Sequence, residues 1–471
     1  MTGVFTWTVK KFCLLRLGET ASKGAPLTST ESSTAGMLST LRLPPIPGVL
    51  TDLISEGVRA RQRRTLMALK QDTNLVALSA PDATISRCVQ AAAIQGDDVL
   101  GELRQMIQSE KSAERRSALN FLFVAVCVQV GGDRWLENIC SEGLSDPEAT
   151  AEALLSFPVP KDAWGESTSH IYALWHASLA GKVDSFWASY LLGAAGCRDA
   201  LPELRSRLSD GDVTSAEMYA LAALGDQSPR LKERLQNSLQ KAGVDASWGW
   251  KALHVSPGLL APEELRRICP DSEQWPQEVW PWLAVRAPET ILLSDDLKEK
   301  IHSDSRLRLF ALMGHISALF AVCSALSESG LAVTAEQQDV LLLVAGECPS
   351  ELSIPGTPEV QRQKVLRTLF LRVCRQSHIA VPNDADECPW LLDRILAMPL
   401  ATTPALRFGY RMAAIPVWDA RLAELSHVMR QWLYMERAAR AGHALPLSAT
   451  SVSRRQWQAL DISNFVDDLR S

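Results

Sequence analysis

The chain reads as an all-α protein assembled from consecutive antiparallel helix pairs, and three observations predict this. Two adjoining segments between Trp187 and Leu239 share one internal grammar, good helix formers dominate the composition, and strand signals are sparse. The first segment runs WASYLLGAAG and then CRDALPELRSRLSDGD; the second runs SAEMYALAALGD and then QSPRLKERLQNSL. Leu204 and Leu208 of the first recur as Leu231 and Leu235 of the second, an offset of 27 residues. Such a period marks stacked repeats, because one helix pair alone cannot bury its apolar face. Ala, Leu, Arg and Glu are strong helix formers. No Asn-Gly or Asp-Gly turn joins two alternating Val/Ile/Thr runs, so strands are not expected.

From Gly18 to Gly48 the chain is rich in Ser, Thr, Pro and Gly, with GETASKGAPLTSTESSTAGM at the heart of that stretch, and residues 1–48 are expected to lack fixed structure. No sustained apolar run follows Lys10 and Lys11, so no secretory signal is read there. Helical repeats are expected over 49–268. The segment VRARQRRTLMALK places Arg59, Arg61, Arg63, Arg64 and Lys70 on one helix, and Arg61, Arg63 and Arg64 are the candidate nucleic-acid contacts. The chain carries 48 basic against 54 acidic residues, a net charge of −6 that opposes a polyanion. A solvated helix face is therefore the preferred reading, and nucleic acid is not an expected partner.

Further along, Gly96-Asp97-Asp98 and Gly132-Asp133 repeat a turn between helical segments, and Asp146-Pro147 has the form of a helix start. Trp187, Tyr190, Leu191, Ala194 and Ala195 recur at the spacing of one buried helical stripe. Gly196 and Gly225 stand where each first helix should stop, since glycine accepts the left-handed backbone of a helix C-terminus.

At Gly225-Asp226, followed by Leu231 and Leu235, the chain resembles HEAT repeats of the short bacterial type. Gly196-Cys197 departs from that pattern by lacking the aspartate, and the close match covers residues 187–239. The resemblance implies a HEAT-like helical solenoid over 49–268. It also implies a non-enzymatic scaffold or adaptor that holds another protein on the concave face of the stack. Some similar bacterial proteins are accessory factors of secretion or effector systems. The alternative it implies is a nucleic-acid-binding protein similar to the HEAT-like DNA glycosylases, although no basic stripe runs through the repeats. Hydroxylases of this fold hold iron through His-Glu pairs, and no His-Glu dipeptide occurs here.

Residues 269–297 are dense in proline and tryptophan and read as a junction. Tryptophan is enriched at interface hot spots, which makes Trp248, Trp250, Trp280 and Trp282 the candidate protein-binding residues, although core packing is the preferred role for them. Residues 298–471 are expected to be an irregular helical region. Within it, Leu309 to Leu326 form an 18-residue stretch without formal charge, at the lower limit for a membrane span. His315, Ser317 and Ser324 favour a buried helix, so a membrane is not an expected partner. The segments 335–347, 360–376, 389–398, 403–415 and 417–442 each read as one amphipathic helix.

No phosphate-binding loop, nucleophile elbow, zinc-protease or dinucleotide motif is present. The ten cysteines include no C-x-x-C, and Cys127 and Cys323 sit in apolar runs, so they read as reduced core thiols of a cytoplasmic protein. Eight histidines are scattered. Cys374 and His378 stand one helical turn apart without a visible orienting group for nucleophilic chemistry. No catalytic residue, cofactor or metal is expected, and the function reads as protein binding rather than catalysis.

Overall fold

The computed structural model describes residues 48–445 except 71–72, 131–137, 140–145, 158–168, 182–184, 242, 269–274, 330–331, 355, 377–405, 409, 412–419 and parts of 293–302, together with Ser453 and Gln456. Among these residues the regular structure is helical apart from one two-residue β-hairpin.

The chain opens with a helix hairpin, α1 (Val49–Leu69) and α2 (Leu75–Ala93), whose turn ends on Asn74. The Asn74 side chain accepts from the Ala77 N–H at 2.8 Å, satisfying one orphan donor of α2. Next come α3 (Asp97–Ser109) and α4 (Ala113–Val130). Every residue of α4 from Ala118 to Val128 is buried, because α1, α2, α3 and α5 (Pro147–Ser156) all pack on it. The expected start of α5 is present: Asp146 accepts from the Ala149 N–H at 2.9 Å and Pro147 takes the first position.

The following helices are α6 (Ser169–Leu179), α7 (Ser185–Ala195), α8 (Leu201–Asp210), α9 (Ser215–Ala223), α10 (Pro229–Leu239), α11 (Val244–Val255), α12 (Pro262–Ile268) and α13 (Val279–Arg286). Here α5, α7, α9, α11 and α13 pack on one another in chain order, while α8 and α10 pack on these and on each other. Nearest-neighbour packing follows from the sequence grammar, in which each helix lends one leucine stripe to the next. Gly196 and Gly225 end α7 and the α9 segment with φ of 72° and 84°. The N–H after each glycine reaches back to a helix carbonyl, Cys197 to Leu192 and Asp226 to Leu221, both at 2.9 Å. Leucine or alanine at either glycine would meet the steric cost of the left-handed region. At Gly193 the reason is different: a Cβ there would stand 2.8 Å from the Ala220 Cα, so glycine lets α7 and α9 approach closely.

Beyond α14 (Pro288–Leu292), the stretch read as one apolar helix over 309–326 is two. α15 (Ser303–Leu312) ends at Gly314, with φ of 73°, and α16 (Ile316–Ser329) begins after it. The His315 N–H bonds the Phe310 carbonyl at 2.9 Å, the same terminating turn as at Gly196 and Gly225. Among the described residues no helix is long and apolar enough to cross a membrane.

α17 (Ala335–Val340) runs into a π turn (Leu341–Ala345) that stops at Gly346; α18 (Ser350–Ser353) and α19 (Glu359–Gln376) follow. The helix expected over 360–376 is present as α19, and that over 389–398 lies outside the described residues, as do 1–47 of the N-terminal segment. Of the segment 403–415, expected to be one helix, the described residues 406–408 and 410–411 are not helical. Its β1 (Leu406–Arg407) and β2 (Tyr410–Arg411) pair antiparallel, Leu406 opposite Arg411 and Arg407 opposite Tyr410. The cause is tertiary. The Leu406 N–H donates to Gly314 O at 2.8 Å and the Phe408 N–H to Leu343 O at 2.6 Å, carbonyls left open by a helix end and a π turn. Phe408 makes the reversal at φ 51°, a strained position for an aromatic residue, and its ring is buried.

The helix expected over 417–442 is also interrupted. A 3-10 turn at Ala420–Glu424 precedes Ser426, whose Oγ accepts from the Met429 N–H at 3.3 Å and starts α20 (His427–Ala441). α20 packs on α11, α13 and α15. Its first turn reaches the α1–α2 turn, where His427 Nδ1–H donates to Lys70 O at 2.8 Å and Arg430 donates to Thr73 O at 3.3 Å. Beyond α20, the Ser453 N–H donates to Asp82 of α2 at 2.7 Å. The last described helix is thus joined to the first.

Candidate functional site

The four tryptophans named as candidate partner contacts are core residues, the role preferred for them from the sequence. Trp248, Trp250, Trp280 and Trp282 are 5%, 4%, 5% and 0% exposed. On α11, Trp248 meets Phe186 at 4.7 Å, Tyr219 at 5.5 Å and Tyr190 at 5.7 Å between ring centroids, all near-perpendicular, and Lys251 Nζ lies 4.1 Å over its ring. Burial pushes the Lys251 ammonium below its ordinary pKa, and Glu148 opposes that shift. Tyr190 stacks on Tyr219 at 5.4 Å. Side chains of α7 and α11 therefore meet across α9, which is buried from Ala216 to Ala223. Aromatic rings fill the contact between α7, α9 and α11 on this side. Each such pair adds about 0.5–1.5 kcal/mol beyond its burial.

The arginine cluster divides. Arg61 and Arg64 are 6% and 1% exposed, whereas Arg63 faces solvent. Arg61 pairs with Glu152 and lies 4.3 Å over the Phe121 ring; Arg64 pairs with Asp82 and, at 3.0 Å, with Glu152. Two guanidinium groups and two carboxylates cancel, leaving no charge at Arg61 or Arg64 to offer a phosphate. Positions 61 and 64 are one helical turn apart on the side of α1 that faces the core, which is why burial captures both. The preferred reading of this cluster as a solvated helix face therefore holds at Arg63 and fails at Arg61 and Arg64, and of the three candidate contacts only Arg63 is open to solvent.

Outside the first-helix layer, arginines tie successive units together. Arg205 Nε donates to Asp226 at 2.8 Å, Arg230 to Ser209 O at 3.1 Å and Arg234 to Val213 O at 3.3 Å, each across 21 residues. Asp226 is 1% exposed and also accepts from Ser228 Oγ at 2.7 Å, so the Gly-Asp turn ends in a satisfied carboxylate. Arg207 Nε donates to Glu217 at 2.8 Å, and Glu217 closes a capping box with Thr214 at the start of α9. Ser206, Glu233 and Asn237 remain exposed on the outer faces of α8 and α10.

A third group of polar residues holds α20. Asp339, 1% exposed, accepts from Arg308 Nε at 2.8 Å and from the Ser426 N–H at 2.7 Å. Arg407 donates to Ala311 O at 3.4 Å and Leu312 O at 2.7 Å, capping α15, and pairs with Glu436 at 2.9 Å. Gln456 accepts from Tyr434 at 3.1 Å and from Arg430 at 3.3 Å. Burial pushes the Tyr434 phenol up to about 12. These groups are committed to one another and to helix ends.

Burial raises Cys374 to about 12, and burial with the nearby Glu56 raises Cys88 to about 11, so both are protonated thiols at neutral pH and poor nucleophiles. His378, the neighbour expected for Cys374, lies outside the described residues. Burial lowers His254 and His427 below their ordinary values, keeping both neutral. Among the described residues no group of three or more His, Cys, Asp or Glu side chains is placed to hold a metal ion. Phe186, Tyr219, Asp339 and Arg430 have no local sequence signature, and only the packing reveals their roles. Comparison of the chain with protein-family models, with curated proteins and with solved structures returned no match.

Proposed function

We propose that this chain is a non-enzymatic protein-binding scaffold or adaptor, with a HEAT-like solenoid over residues 49–268 whose outer layer of second helices meets the partner. The observation that supports this most is the set of arginine bonds at a constant 21-residue separation between α8 and the unit that follows it. Such rungs hold successive helices in register and present Ser206, Glu233 and Asn237 from a pre-ordered frame, which lowers the entropic cost of association. The aromatic filling behind α9 favours this outer layer over the inner one. A cytoplasmic setting and an accessory role in a bacterial secretion or effector system belong to the same reading through the repeat resemblance.

The test is affinity capture from the native cell with the full chain and with Ser206→Arg/Glu233→Lys/Asn237→Arg. One discrete partner should be retained by the parent chain and lost from the triple variant, with an unchanged melting temperature. Equal retention by both chains would remove the outer layer from the proposal. The nucleic-acid alternative predicts salt-dependent retention on DNA that Arg63→Glu abolishes.

A further inference from the structure

The solvent side of the first hairpin carries apolar and charged side chains at helical spacing. On α1, Arg59, Arg63, Leu66 and Lys70 are exposed at i, i+4, i+7 and i+11, and the same face continues towards the helix start through exposed Glu56 and Asp52; on α2, Val76, Ala80, Ala83 and Arg87 are exposed at i, i+4, i+7 and i+11. Leu66 and Val76 are 62% and 56% exposed, whereas Ile54, Val58, Ile85 and Val89 on the opposite sides of the two helices are buried in the core shared with α4. Two helices thus present a shallow apolar strip, edged on the side of the α1–α2 turn by the cations Arg59, Arg63 and Lys70, while Asp52 and Glu56 lie at the far end of the α1 face. Among the described residues no carboxylate forms an ion pair with Arg59, Arg63 or Lys70.

Such a strip fits an amphipathic helix with an apolar ridge and acidic flanks. Small residues at helical spacing let a second helix approach closely, and unpaired cations select carboxylates. The chain contains such a segment. Residues 461–471 read DISNFVDDLRS, with Ile462, Phe465, Val466 and Leu469 at i, i+3, i+4 and i+7, and Asp461, Asp467 and Asp468 against Arg470. The path to the strip is short. Ser453 bonds Asp82 on the flank of α2, and Gln456 bonds Arg430 and Tyr434 beside the α1–α2 turn. The five residues from 456 to 461 extend up to about 17 Å, which exceeds the roughly 10–12 Å width of a helix.

We propose that the exposed strip of α1 and α2 is a docking surface for an acidic amphipathic helix and that residues 461–471 of the same chain occupy it. Ile462, Phe465, Val466 and Leu469 lie on Leu66, Val76, Ala80 and Ala83, and Asp461, Asp467 and Asp468 answer Arg59, Arg63 and Lys70. An anionic lipid surface is a poorer fit, since the strip lacks the bulky aromatic residues and dense lysines of an interfacial helix. This inference does not depend on the adaptor reading.

The experiment uses the full chain with photoreactive benzoylphenylalanine in place of Leu66 and, separately, of Val76. Illumination and digestion should join these positions to a peptide within 461–471. The yield should fall at least about fivefold in Phe465→Asp/Leu469→Asp and in Arg59→Glu/Arg63→Glu, which replace attraction by repulsion. Circular dichroism would verify that each variant is folded. A mixture of isotopically heavy and light chains should yield products within one chain only. Products elsewhere in the chain, an unchanged yield in both double variants, or products joining heavy to light chains (a second copy as occupant) would each overturn the assignment.

Discussion

Asp339 shows how one buried carboxylate can organise three elements. It lies on α17, neutralises Arg308 of α15 and caps α20 through Ser426. Asp339→Ala would leave Arg308, only 8% exposed, as an uncompensated buried cation. We expect a loss of about 3–5 kcal/mol in denaturant-induced unfolding, with no such loss for removal of the exposed Glu233. His427 supplies a pH dependence. Burial, assisted by Arg430 and Arg308, lowers its pKa from 6.5, so the unfolded chain binds the proton more readily. Stability contributed by the neutral ring is complete above 6.5 and is lost as the pH falls through the lower folded value. The denaturation midpoint should therefore drop between about pH 7.5 and about pH 5.5, and the drop should be smaller in His427→Gln. An identical slope in the variant would assign the effect to other groups, among them His254, whose shift has the same sign.

At the scale of elements, the repeat units are held by close backbone approach and by caps. Gly193→Ala forces a methyl against the α9 backbone, 2.8 Å from Ala220 Cα. Overpacking of about 1–3 kcal/mol outweighs the gain of about 1 kcal/mol in helix propensity. The variant should melt at a lower temperature, although the substitution ordinarily favours helix. Thr214→Ala opens the capping box of α9 and should cost about 1 kcal/mol, read from the same melting curve. Elements whose termination is written locally were legible in the sequence: the ends at Gly196 and Gly225 and the Asp146-Pro147 start depend on residues within one turn. The β-hairpin was not legible. Leu406 to Arg411 carry helix-compatible side chains, and their extended form is chosen by carbonyls of Gly314 and Leu343, which lie far away in the chain.

Across the whole molecule, the joined first and last described helices alter how the chain should open. Units that touch only their neighbours open from the ends independently. Here Arg430 and His427 link α20 to the α1–α2 turn, so these distant helices should exchange their amide hydrogens with similar opening free energies. Arg430→Met removes the bond to Thr73 O and should let the two regions exchange at different rates. Matching rates in the variant would show that the link carries no coupling.

The sequence by itself determined the helical class, the repeat grammar of 187–239 and the terminating glycines, because periodicity and caps act over a few residues. It did not determine which of its tryptophans and arginines face solvent. Trp248 and Trp282 carry the same local signature whether at an interface or in a core, and Arg61 differs from Arg63 only by the helix face that meets Glu152. Burial, ion pairing and the closure of α20 onto α1 and α2 arise between residues separated by much of the chain, so only the tertiary structure decided them.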